Sequence, residues 1–196
     1  LARCAYPCCA EGQGRPAQID GLEAGLRHGF KAQAERRAAA ARSSLGLSAI
    51  ERLDPWKFAE SLSINVIDLS DLDLPPEDQT QLLVRDPDSW SGMTLTEDGV
   101  KLIVLNPKHS PARQASTLMH EIAHIDLDHV PATVNLSAAG LILLSDYNDE
   151  QEQEADWLGG ALLLPEVALL HHRGLGKSPA EIARLFRVSV DLCSWR

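Results

Sequence analysis

The chain lacks any run of about twenty apolar residues, so nothing in it reads as a membrane-spanning helix. Its first residues lack the basic and apolar regions of a secretory signal, and the cytoplasm is the expected compartment. Basic charge is scarce. The 18 Lys and Arg face 28 Asp and Glu, giving a formal net charge of -10. A surface that coats nucleic acid needs clustered Lys and Arg against phosphates, so direct nucleic-acid binding is not expected. Cysteine is scarce as well: Cys4, Cys8 and Cys9 crowd the first ten residues and Cys193 stands alone. This spacing makes neither a disulfide framework nor a paired zinc knuckle.

Against these absences stands one stretch, His120-Glu121-Ile122-Ala123-His124. On a helix, the pattern H-E-x-x-H puts two imidazoles one turn apart on the same face, where both reach a single metal ion. Glu121 projects beside that ion and is placed to take a proton from a water in metal-assisted hydrolysis. Composition alone would produce the pattern in about one of sixty shuffled chains, so its surroundings must decide. Ser110-Pro111 reads as an N-cap followed by Pro at the first helical position. Ala115, Leu118, Ile122 and Ile125 then recur at helical spacing as a buried stripe, which puts the motif mid-helix.

A hydrolytic site needs a third protein ligand and an open position. The acidic stretch from Asn148 into the apolar run ending at Pro165 supplies candidates, and Glu152 is the choice. Asp156, four residues on and on the same helical face, is placed to accept the free ring N–H of a ligating histidine. Glu150 and Glu154 are read instead as acidic residues complementing a helix N-terminus. The pattern H-E-x-x-H-x-x-G-x-x-H fails, because Leu127 and Val130 stand where Gly and His would be required. His129 is expected near the site as a polar residue, not a ligand. Tyr147 is a candidate for stabilising an oxyanion, with His171 and His172 as lesser ones.

Along the chain, which begins with Leu1 and so reads as an excerpt, a processed product or an unusual start, residues 1–20 read as a disordered leader. A helix is predicted over Gly21–Ser44, with Leu22, Leu26, Phe30, Ala34, Arg37 and Ala41 on one face and Gly46 ending it. Arg27, Lys31, Arg36, Arg37 and Arg42, interrupted by Glu23 and Glu35, read as a solvated face. Asp54-Pro55 starts a short helix, Ile64–Leu69 reads as a strand, and a loop follows at Pro75-Pro76. Met93–Thr96 and Val100–Leu105 flank Asp98-Gly99, a hairpin signal. Leu141–Leu144 suits a helix turn or a strand. Two short helices are predicted to meet at Val188-Ser189, with a packing or docking role preferred over DNA binding, because the chain stops where a recognition helix would be completed.

The motif, followed by Glu152-Gln153-Glu154-Ala155-Asp156-Trp157-Leu158-Gly159-Gly160-Ala161-Leu162-Leu163-Leu164-Pro165, resembles the paired signature of the ImmA/IrrE metallopeptidases of bacteria and phages. The resemblance covers about residues 25–196 and departs at Leu158-Gly159-Gly160, where Phe-Ala-Ala is commoner. It implies an α+β, zincin-like domain over residues 21–174 with a small sheet, an active-site helix and a C-terminal helical cluster; residues 175–196 form a truncated helix-turn-helix-like segment. It implies His120, His124 and Glu152 as metal ligands and Glu121 as general base. Zinc is the expected ion, with Mn2+ or Fe2+ tolerated. The implied partner is a protein substrate, a helix-turn-helix repressor cleaved in stress or mobile-element response. The strand at residues 100–105 would lie at the edge of the site and hold an extended substrate that pairs with it as a further strand, although Leu102, Val104 and Leu105 also suit a core. A toxin–antitoxin or regulatory binding partner, with a structural or degenerate metal site, is the alternative.

Overall fold

The computed structural model describes residues 26–97, 100–130, 133–136, 142–145 and 148–196. Helix α1 spans Phe30–Ser44, later than the predicted Gly21 start, because Gly29 adopts a left-handed φ of 79° immediately before it. Gly46, at φ 70°, follows its end as predicted. The buried face is Phe30, Ala34, Ala38, Ala41 and Arg42. Arg37 is off that face and pairs instead with Asp126, its Nη1 lying 2.8 Å from the backbone oxygen.

Arg42 corrects the reading of a solvated basic face, for it is only 1% exposed. Its guanidinium donates to the carbonyls of Leu162 at 2.9 Å, Ala38 at 3.2 Å and Glu51 at 3.0 Å. Such a buried cation persists because its donors are satisfied by backbone carbonyls, among them those of Leu162 and Leu163 in the last turn of the helix Asp149–Leu163. Burial still pushes its pKa down to about 10, against the raising influence of Glu35.

Helix α2 (Pro55–Ser61) is capped by the Asp54 side chain, which accepts from Trp56 N at 3.2 Å. Strands β1 (Asn65–Asp68), β2 (Gly92–Glu97) and β3 (Val100–Leu105) form one sheet in the order β1-β3-β2. β1 runs parallel to β3, and β2 forms the predicted antiparallel hairpin with it. Asp98 and Gly99 themselves lie outside the described residues. β3 is therefore the central strand, paired on both sides, which leaves residues 100–105 no free edge on which to pair with an extended substrate as expected. The alternation of side chains explains why: Ile103 and Leu105 enter the main core while Val104 enters a second cluster with Leu69, Trp90 and Met93. A strand buried on both faces suits a sheet centre.

The stretch expected as a loop at Pro75-Pro76 opens a short helix α3 (Pro76–Thr80), which continues as a π turn over Gln81–Arg85. Trp90 Nε1 donates to Leu82 O at 3.0 Å and ties this excursion to the sheet.

Helix α4 (Pro111–Asp126) starts as the sequence predicts, with the Ser110 hydroxyl accepting from Arg113 N at 3.4 Å and Pro111 at N1. Strands β4 (Thr133–Leu136) and β5 (Ile142–Ser145) form a second, two-stranded sheet, so the ambiguous run resolves as strand from Ile142 onwards. Helix α5 (Asp149–Leu163) is capped by Asn148, which accepts from Glu150 N at 2.9 Å. Helices α6 (Glu166–Gly174), α7 (Pro179–Phe186) and α8 (Val190–Trp195) complete the α+β fold. Ile182, Ala183, Phe186, Val188 and Cys193 enter the same core as α1, α4 and α5. Among the described residues no helix is long and apolar enough to cross a membrane.

The departure at Gly159-Gly160 has a packing reason. A Cβ at Gly159 would stand 3.2 Å from both His120 N and Met119 O, and one at Gly160 would meet the Trp195 ring at 2.6 Å. Gly159 thus lets α5 lie directly against the backbone of α4. Gly159→Ala is expected to destabilise the chain by about 1 kcal/mol in urea unfolding, because overpacking against backbone outweighs the gain in helix propensity. Gly174→Ala, with open space around it, is expected to be neutral or stabilising in the same assay.

Candidate metal centre

The crossing of α4 and α5 sets the geometry of the site. His120 and His124, one turn apart on α4, face Glu152 in the first turn of α5, and one ligand atom from each lies within 4.8 Å of the others. His120 Nε2 is 3.4 Å from Glu152 Oε2, and His124 Nε2 is 3.6 Å from the same oxygen. Tetrahedral ligation at metal–ligand distances of about 2.0–2.1 Å requires ligand atoms about 3.3 Å apart, so these two edges fit. The two imidazole nitrogens, at 2.7 Å, must part by about 0.6 Å to flank one ion. Two imidazoles and one carboxylate are a donor set suited to a divalent transition metal.

Asp156, one turn beyond Glu152 on α5, places Oδ1 3.0 Å from His120 Nδ1. That contact fixes the ring so that Nε2 points into the cluster. Burial alone would depress the pKa of His120, but the carboxylates of Asp156 and Glu152 outweigh it and raise the value to about 9. Glu152 shifts the other way. Burial would raise its pKa, yet hydrogen bonds from His120 and His124 bring it down to about 2. Both shifts express one fact: this cluster favours positive charge held between imidazoles and carboxylate, and a metal ion and a proton compete for that place.

Glu121 is 2% exposed. The Thr94 hydroxyl donates to its Oε2 at 2.6 Å, while Oε1 is buried without a hydrogen-bond partner among the described residues. A buried carboxylate oxygen left without a donor is unusual and marks a place where a polar group from outside the chain fits. His129 is near the site, as the sequence suggests, with Nδ1 2.9 Å from His124 Nδ1. Burial pushes its pKa down. His171 and His172 lie on α6, where His172 packs edge-on against Phe186 with ring centroids 5.6 Å apart, and neither joins the cluster. Tyr147, Cys4, Cys8 and Cys9 lie outside the described residues.

Three residues around the site were missed or misassigned from sequence. Thr94 carried no signal beyond its place in a strand. Glu154, taken as a helix-terminal charge, is 3% exposed, ion-paired with Arg27 and within hydrogen-bond distance of His129. Arg27, taken as part of a solvated face, is that carboxylate's partner. The available hint was its place at the sixth residue of α5, past the first turn, with apolar Ala155 and Leu158 one and four residues on.

The chain belongs to the family described as Peptidase_M78, IrrE N-terminal-like domain, whose model matches residues 60–194. That membership points to a metallopeptidase, and His120, His124 and Glu152 could hold a metal ion. The α+β architecture is consistent with an IrrE-type, zincin-like domain. A solved structure described as a Mycobacterium tuberculosis transcriptional regulator is similar over 90% of this chain and 48% of that one, with a TM-score of 0.50 and 16% identity. At that identity the likeness concerns fold alone, and the chain spans about half the length of that protein. No curated protein matches the chain.

Ligation requires a neutral imidazole, whereas His120 at a pKa of about 9 carries a proton at neutral pH. Cation affinity is therefore expected to rise with pH up to about 9 and to fall below it. Calorimetry of zinc binding near pH 7.5, in buffers of different protonation heat, should return about one proton released per ion.

Proposed function

We propose that the chain is a metal-dependent endopeptidase in which His120, His124 and Glu152 hold the ion and Glu121 is the general base. The observation that carries this reading is the convergence of three metal-binding donors from α4 and α5 beside a buried Glu121 whose Oε1 has no partner among the described residues. Zinc suits the donor set best, and Mn2+ or Fe2+ would be accommodated. A bound ion would supply the Lewis acidity that polarises a scissile carbonyl and acidifies an attacking water.

The chain's own residues do the rest. Thr94 occupies Glu121 Oε2, leaving Oε1 to take the proton from the water and to hand it to the leaving amine. Asp156 holds His120 in the ring orientation that ligation needs. Because β3 is paired on both sides, an extended substrate would add to the outer edge of β2, the strand that carries Thr94.

The substrate we favour is a helix-turn-helix repressor, cleaved in the cytoplasm as a regulatory step in stress or mobile-element response. Support for it comes from the family and from the regulatory description of the structural neighbour. It is an argument by analogy of fold and family, and the cleavage chemistry does not depend on it.

Two measurements test the reading. Wild type should carry about one equivalent of transition metal by elemental analysis, and His120→Ala and Glu152→Ala should each lose most of it. Persistent full occupancy in both variants would remove them as ligands. Glu121→Gln should keep the metal while lowering peptide cleavage by about 100-fold or more, the scale of a lost general base. Undiminished cleavage in that variant would take the base role away from Glu121.

A further inference from the structure

The second imidazole of the centre is supported from behind. His124 turns Nε2 towards His120 and Glu152 and Nδ1 towards His129, whose own Nδ1 is 2.9 Å away. The other nitrogen of His129 lies 3.3 Å from Glu154 Oε2. The side chains of His129 and Glu154 are 6% and 3% exposed. Glu154 in turn accepts two hydrogen bonds from Arg27, from Nη2 on Oε2 at 2.8 Å and from Nε on Oε1. A continuous line of polar contacts therefore runs from the candidate ligand to Arg27, whose side chain is 57% exposed.

Once His124 Nε2 is a ligand, this line admits one arrangement of protons. Ligation uses the Nε2 lone pair, so the ring proton of neutral His124 sits on Nδ1 and is donated to His129. His129 Nδ1 must then accept, which places its own proton on Nε2, aimed at the Glu154 carboxylate. An ionised carboxylate only accepts, and the two donors of Arg27 complete it. Every group has a partner of the right kind, and reversing any one proton would set two donors or two acceptors against each other.

We infer that His129, Glu154 and Arg27 are positioning residues that fix the tautomer and ring orientation of His124 for metal binding, as Asp156 does for His120. The inference rests on the metal-site reading above. It also extends the site beyond the stretch that defines the family, because Arg27 precedes residues 60–194. The segment leading into α1 would thus tune a centre built by α4 and α5.

The test is zinc affinity of the full chain, measured by competition with a chromophoric chelator, together with thermal melting of the metal-free forms. His129→Leu removes both hydrogen bonds and should weaken zinc binding by about 10- to 100-fold, the usual effect of losing such a partner. His129→Gln should recover affinity to within a few-fold, because its amide oxygen can accept from His124 while its amide nitrogen donates to Glu154. Arg27→Met, which removes both donors from the far side of the Glu154 carboxylate, should weaken binding several-fold. The cobalt-substituted His129→Leu protein should show a visible absorption band altered from wild type, a change that a general loss of stability would not give. Wild-type affinity in both His129→Leu and Arg27→Met, or a Gln variant as weak as the Leu variant, would overturn the inference alone. A wild-type chain that binds no zinc would overturn the metal-site reading and this inference with it.

Discussion

The contact on which the rest depends is the close crossing of α4 and α5 at Gly159. With no side chain there, the backbone of α5 rests against Met119 and His120, and the first turns of α5 are carried alongside the motif on α4. Glu152 and Asp156, one turn apart, then meet His120 on one side of the crossing, and Glu154 on another face of α5 meets His129. The Ala face of α1 packs against α5 in the same core, and Arg42 closes the far end by satisfying the carbonyls of Leu162 and Leu163. At Gly160 the ring of Trp195 fills the space a larger residue would take, which locks the C-terminal helices to the same axis.

The interior formed by this crossing is polar where an ordinary helix pair is apolar. Two histidines and Glu121 on α4, with Glu154 on α5, are largely removed from water, and buried charge is costly unless it is paired. The arrangement meets that cost locally: carboxylates from α5 face imidazoles from α4, Arg27 neutralises Glu154, and Thr94 donates to Glu121. What is left over is Glu121 Oε1, the one atom of the group that faces no donor among the described residues. The buried charge is thus compensated almost throughout, with one acceptor left open beside the candidate ligands.

The sheet serves the same centre. β3 fills the middle and feeds directly into the turn that starts α4, while β2 lies outside it and brings Thr94 to Glu121. The hairpin therefore supports the general-base candidate with one strand, whose outer edge pairs with no other strand among the described residues.

Much of this was legible from the sequence, because the informative patterns are local. The i, i+4 spacing of His120 and His124, the same spacing of Glu152 and Asp156, the caps at Asp54 and Ser110 and the Asp98-Gly99 hairpin each lie within a few residues, where helix and turn geometry translate spacing directly into direction. What the tertiary structure alone decided are the pairings between distant segments. Arg27 and Glu154 are 127 residues apart, Arg42 and Leu162 are 120 apart, and Thr94 reaches Glu121 across 27. The strand order that puts β3 at the centre is likewise a choice among partners that no strand's own alternation specifies. A charged residue reads as solvated in isolation, and only packing reveals whether a buried partner of opposite sign awaits it, since burial depends on the whole chain and not on its neighbours in sequence.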